Sequence, residues 1–403
     1  MNAYSLYGSS GEKSGRCSAQ NQPAHKLNHY SMKIKSISVL FAVMFLTSFQ
    51  MMARETLAEA TKGEFLMGVA VNPQQVNGVN PTETELVSKE FSAIVPENCM
   101  KPQPIHPEEN RYYWDEADKF VAFGEKNKQT VTGHCLIWHS QIPRWFFVDD
   151  KGNDVSPEVL KERMRKHILT VVGHYKGRIK GWDVVNEAFE DNGTYRNSKF
   201  YRILGKDFIK YAFQYAHEAD PKAELYYNDY NMETPAKCDG VVKMVKELKA
   251  AGCRIDAVGS QSHMHMDSPT LEATETTFKK LKAAGVKILI TEWDISILPS
   301  PYSGANVSTS FNYSREMDPY RDGVPDSVQQ KWDKRVLDMF GLFLKYRDVV
   351  GRVTVWGLND RESWLNNFPI RGRKDYPVLF DRNDQRKSVV DKMILMAKKY
   401  KKK

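Results

Sequence analysis

Cysteine is scarce in this chain: five in 403 residues, with Cys17 close to the N-terminus. Cys238 and Cys253 flank a helical pattern of about a dozen residues, about 18 Å from end to end, which exceeds the roughly 7 Å between alpha carbons that a disulfide spans. Cys99 and Cys135 fall at the ends of neighbouring predicted strands and could approach, but buried free thiols are the expectation for all four. No glycine-rich phosphate turn follows the first apolar run, which counts against an open dinucleotide-binding sheet without eliminating it. No apolar run reaches the roughly 20 residues of a spanning helix. The run ISVLFAVMFLTSF at 37–49 follows Met32 and two lysines and precedes Ala58-Glu59-Ala60, the pattern of a secretory leader with cleavage near Thr61 or earlier at Ala53. No Leu-x-x-Cys follows it, so soluble export, secreted or periplasmic, is expected rather than a lipid anchor. The domains expected are a polar extension at 1–31, with Met32 as the true start, a signal peptide at 32–60 and a folded domain at 61–403. A basic face is missing too. The net charge of +8 comes from six basic against three acidic side chains in 1–60 and from five lysines at 398–403, so no nucleic-acid partner is expected.

What is present is a repeated grammar. Apolar runs occur at 65–71, 91–97, 129–138, 179–187, 223–231, 255–264, 286–295 and 352–360. Helical patterns lie between them: one with Ser156 as N-cap and Pro157 at the first position, another, DGVVKMVKELKAAG, stopping at Gly252. Eight alternations of strand and helix predict a single-domain closed (β/α)8 barrel. About 340 residues after the leader suffice for one barrel with decorated loops, the longest at 298–326 after the seventh strand. That loop, rich in Ser, Pro, Asn, Asp and Tyr, either lines the cleft or is a solvated decoration.

Barrel chemistry sits at the C-terminal ends of the strands, and from the second run onward every run ends in polar groups. Glu187 closes IKGWDVVNE and Glu292 stands in VKILITEWDI, each in a stretch that reads as buried parallel strand. Charge is costly there without a purpose. Two carboxyls brought together at strand ends suit acid and nucleophile chemistry on a glycosidic bond.

The stretches PENCMK, GHCLIWHSQIP, WDVVNEA, YNDYN, GSQSHM, ITEWDIS and VWGLNDRESW follow one another between residues 96 and 364. Together they resemble the endo-β-1,4-xylanases of glycoside hydrolase family 10, over about residues 63–399. The resemblance implies retaining hydrolysis of xylan and xylo-oligosaccharides. Glu187 matches the general acid and base, and Glu292 the nucleophile, with carboxyls about 5 to 5.5 Å apart. His263 and Asp294 match the partners that hold and tune Glu292. Asn186 would bond the 2-hydroxyl of the sugar being cleaved. Glu97, Asn98, Lys101, His134, Trp138 and Gln261 match groups that bind the non-reducing side. Trp356 and Trp364 match stacking platforms, with Trp364 crowding the place of a glucose hydroxymethyl. Tyr230 would serve the leaving group. No cofactor and no metal are implied, nor a membrane contact once the leader is gone, and a monomer is expected. His139 and His265 are assigned no role.

Two departures from the family pattern remove no chemical group: Trp293 between Glu292 and Asp294, and Cys99 inside PENCMK. Three alternatives stand beside this reading. A metal-dependent hydrolase would use His263-x-His265 with His134, His139 and Asp294, yet leaves Glu187 without a role. A non-catalytic sugar-binding barrel would not need both glutamates. A cellulase or mannanase on a related barrel is the nearest competitor.

Overall fold

In a computed structural model the chain is described over residues 54–302 and 309–401. The extension at 1–31, the leader up to residue 53, loop residues 303–308 and the last two lysines lie outside the described residues. All eight apolar runs form strands: β1 (Leu66–Val71), β2 (Ala93–Pro96), β3 (Thr130–Trp138), β4 (Gly181–Asn186), β5 (Glu224–Asp229), β6 (Ala257–Ser260), β8 (Lys287–Ser296) and β9 (Val350–Val355), with a short β7 (His263–His265) continuing the sixth run. Every pairing is parallel, and β1 with β9 and β6 with β8 close the ring into the (β/α)8 barrel. Parallel neighbours require long crossovers, here supplied by helices such as Pro157–His174 and Pro235–Ala250. Ser156 Oγ accepts the Val159 amide as the N-cap of the first. The second ends at Ala250 with Ala251 as its C-cap, and Gly252 follows with a positive φ of 74°, a conformation glycine adopts without strain.

The sixth run is not one strand. Ser262 takes φ 60°, which ends β6 and lets β7 pair with the far half of β8, setting His263 beside Asp294. The core has two layers. A large apolar shell lies between strands and helices, and smaller clusters such as Tyr226, Ala257 and Leu289 lie apart from it.

The compact unit runs from Glu55 to Lys403. Its first helix, Leu57–Thr61, begins with a Thr56–Glu59 capping box and buries Leu57 and Ala60 completely. A boundary after Ala60 would cut this helix, so the folded unit starts six residues before the expected Thr61. The four described cysteines, Cys99, Cys135, Cys238 and Cys253, are free thiols. Among the described residues, no helix is long and apolar enough to cross a membrane.

Candidate active site

The C-terminal ends of the strands open into a cleft of about 1240 Å³, and all fourteen residues singled out above line it. Register decides who meets whom. Parallel pairing sets His134 beside Asp183, Asn186 beside Asn228 and His263 beside Asp294. Each pair then bonds through its side chains: His134 Nδ1 to Asp183 Oδ2 at 2.9 Å, Asn228 Nδ2 to Asn186 Oδ1 at 2.9 Å, and His263 Nδ1 to Asp294 Oδ2 at 2.9 Å.

Glu292 is held from both sides. Its Oε1 accepts Asn228 Nδ2 at 2.9 Å and its Oε2 meets His263 Nε2 at 3.2 Å. Burial opposes protonation of His263, but the Asp294 and Glu292 carboxylates outweigh it and hold the imidazole up to about 10. Burial also opposes charge on Glu292; the bond from the charged His263 and the Asn228 amide prevail, so its carboxyl lies below the ordinary range.

Glu187 is in the opposite condition. Its Oε2 accepts the Trp138 indole N–H at 2.8 Å and its Oε1 the Gln261 amide at 2.9 Å. Burial pushes its carboxyl up, and the charges of Asp229 and Glu292 add to the effect against those two donors. The two carboxyls are thus pushed in opposite directions, Glu292 toward the ionised form and Glu187 toward the protonated one, the sense that double displacement at a sugar carbon requires.

Around this pair, Lys101 reaches Asn98 Oδ1 at 2.9 Å and lies 5.1 Å from the centre of the Trp138 ring. Trp356 packs edge-on against His134, and Trp364 lies 4.9 Å from the His263 ring centre. The Trp364 indole N–H also donates to Asp294 Oδ2 at 2.9 Å.

A profile of glycosyl hydrolase family 10 matches residues 56–395. The chain belongs to this family. Endo-1,4-beta-xylanase A of Xylanibacter ruminicola is 50% identical to it over 341 residues, 84% of this chain and 92% of that protein. A family 10 endoxylanase retrieved from a sugarcane soil metagenome superposes with a TM-score of 0.82 at 46% identity, covering 84% of this chain and 99% of that one. The xylanase XynB from Paenibacillus barcinonensis, solved with a conduramine derivative, gives a TM-score of 0.77 at 34% identity, covering 85% and 98%.

As a family 10 member the chain is a retaining glycoside hydrolase, and its site contains residues that sequence reading left without a part. Asn228 joins the two halves, donating to both Asn186 and Glu292 while its Oδ1 accepts Thr291 Oγ1 at 2.6 Å. Gly259 makes room for it, since a Cβ there would lie 2.4 Å from Asn228 Oδ1. His139 comes within 3.9 Å of Glu187 Oε2, and burial, helped by Arg196 and Lys237, pushes it down to about 3, so it is neutral. His265 is exposed at the cleft edge. The long loop lines the cleft with Ser300, Tyr302, Thr309, Ser310 and Phe311. Among the described residues, no group of three or more His, Cys, Asp and Glu is placed to hold a metal ion; His263 is instead committed to Glu292 and Asp294.

Proposed function

We propose that the protein cleaves internal β-1,4-xylosidic bonds of xylan by double displacement, with Glu292 as nucleophile and Glu187 as general acid and then base. The observation that carries the roles is the asymmetry of the two carboxyls. Glu292 faces a cationic His263 and the Asn228 amide, whereas Glu187 sits in burial with Asp229 and Glu292 as like charges nearby. In the first step Glu292 attacks the anomeric carbon while Glu187 gives its proton to the departing oxygen. In the second, Glu187 takes a proton from water, which displaces Glu292. Asn186, whose Oδ1 is occupied by Asn228, keeps its amide N–H groups for the sugar 2-hydroxyl. Glu97, Asn98, Lys101, His134, Trp138 and Gln261 bind the non-reducing side; Tyr230 serves the leaving group.

Xylan is favoured over cellulose by Trp364, a broad ring fixed between His263 and Phe368 where a hydroxymethyl would project. The 50% identity to an endo-1,4-beta-xylanase over most of both chains supports the same substrate. The enzyme acts as an exported monomer.

Two variants test the roles. Glu292→Ala loses nearly all activity because the covalent route is gone, and azide restores turnover of an aryl xyloside with inverted product. Glu187→Ala spares the first step for substrates whose leaving groups need no proton. Equal loss by both variants on activated and natural substrates would mean the roles are misassigned.

A further inference from the structure

Lys237 is out of place by every local rule. It is the third residue of the helix Pro235–Ala250, where the helix dipole repels a cation, and its side chain has no solvent exposure. A lysine in that position needs compensation that its own helix cannot supply. Its Nζ lies 2.9 Å from Asp229 Oδ1, 3.2 Å from Asp191 Oδ1 and 3.4 Å from the centre of the Tyr230 ring.

Asp229, equally buried, ends β5 and uses both oxygens. Oδ1 accepts the Tyr230 amide at 2.9 Å besides Lys237; Oδ2 accepts the Tyr227 hydroxyl and, at 3.4 Å, the Phe189 amide. The Tyr227 hydroxyl in turn accepts the Ala188 amide at 3.0 Å. These contacts fall on the two residues directly after Glu187. Glu187 itself has φ 57°, the left-handed region that a side chain with a Cβ disfavours. Its amide donates to Asn228 O at 2.8 Å, and its carbonyl accepts Arg196 Nε at 2.8 Å.

We propose that the buried Asp229–Lys237 pair is a positioning device for Glu187: through Tyr227 and the Ala188 and Phe189 amides it pins the backbone that aims the carboxyl, and Lys237 backs the Tyr230 ring. The inference rests on Glu187 being the acid and base. Burial pushes the Asp229 carboxyl up, and Lys237 opposes that push, favouring the charged form that accepts from four donors at once. The Asp229 charge in turn helps to hold the proton on Glu187. Other charged or titratable groups face the cluster: Arg196, paired with Glu190, from the loop after β4; Asp191 from the same loop; His139 after β3; Glu292 on β8; and Glu233 before the helix. Arg196 is the one fixed cation among them; its charge also favours an ionised Asp229, but its guanidinium bonds Glu187 O, Phe189 O and the Tyr230 hydroxyl, so Lys237 alone of the two bonds the carboxylate directly.

The test uses Asp229→Asn, Lys237→Met and the double variant, each in the whole chain. Asp229→Asn removes a negative charge beside the acid, so the alkaline limb of kcat/KM against pH on xylan moves to lower pH. Lys237→Met leaves a buried carboxyl without its counter-charge. It lowers kcat on xylan by about tenfold or more while sparing dinitrophenyl xylobioside, which needs no proton from Glu187. The double variant, which leaves the half-exposed Asp191 to solvent and no fully buried carboxylate without a counter-charge, recovers part of that loss, and its recovery still counts if the Lys237→Met protein folds poorly. An unmoved alkaline limb in Asp229→Asn, equal loss on both substrates in Lys237→Met, or no recovery in the double variant would overturn the proposal. Glu187→Ala, run alongside, separates the two readings. If it loses activity equally on both substrates, the acid assignment itself fails; if it shows the expected selectivity and the limb does not move, only the positioning claim does.

Discussion

Trp364 has two tasks that pull against each other in any single substitution. In the proposed function its ring crowds the place of a glucose hydroxymethyl, and its N–H donates to the same Asp294 oxygen that accepts His263 Nδ1. Removing the indole should relieve crowding, a clash of about 1 to 3 kcal/mol in a packed site, and should also disturb the histidine that keeps Glu292 ionised. Trp364→Ala is therefore expected to narrow the gap in kcat/KM between aryl xylobioside and aryl cellobioside. Trp364→Phe keeps more of the bulk and loses only the donor, so it should preserve more of the discrimination. If the ratio is the same in wild type and Trp364→Ala, crowding lies elsewhere in the cleft. The stretch VWGLNDRESW marked Trp364 as a cleft residue, but not its bond to Asp294, because that bond joins residues seventy positions apart, one in β8 and the other in a loop after β9.

At the scale of elements, the first helix matters more than its length suggests. Leu57 and Ala60 are fully buried, Glu55 pairs with Lys398, and the Glu55 carbonyl accepts Arg386. Burying a leucine contributes about 2 kcal/mol, so a chain beginning at Thr61 should melt several degrees below one beginning at Arg54. If export removes the leader, the new N-terminus of protein expressed from Met32 should fall at or before Glu55, as read by mass spectrometry. A mature chain beginning at Thr61 with an unchanged melting temperature would contradict this. The strands themselves were legible to within a few residues because parallel strands buried on both faces are continuous apolar runs. The break at Ser262 was not: nothing in IDAVGSQSHM announces that a serine will take a positive φ and send the chain to a new partner.

For the molecule as a whole, three histidines are kept neutral by the fold. Burial pushes His106 down to about 4 and His167 and His139 down to about 3. His106 and His167 meet through their Nδ1 atoms at 3.0 Å in the aromatic packing of Tyr112, Trp145 and Phe146. In the unfolded chain each takes up a proton near its ordinary value of about 6.5. The unfolded state therefore binds more protons below that pH, and the stability these groups lend is present above about pH 6.5 and is lost as the pH falls toward about 4 and 3. Replacing His106 and His167 together by leucine should flatten the fall in melting temperature over that range. A slope equal to that of the parent would show that other groups govern acid unfolding.

The sequence by itself determined the order of elements, the closed barrel and the residue types at the strand ends, because these depend on periodicity and on local chemistry. The two glutamates stood out for the same reason: charge in an apolar run needs a purpose. Only the tertiary structure decided how those residues pair. Strand register brought His134 to Asp183 and Asn186 to Asn228, the Ser262 break brought His263 to Asp294, and a lysine from the next helix came to rest on Asp229. Glu187 and Glu292 differ through what surrounds them, and those surroundings come from β3, β5, β7, β8 and the stretch between β6 and β7. Electrostatic environment is a property of positions in space, so two chemically identical glutamates have their carboxyls pushed in opposite directions only when the barrel has closed around them.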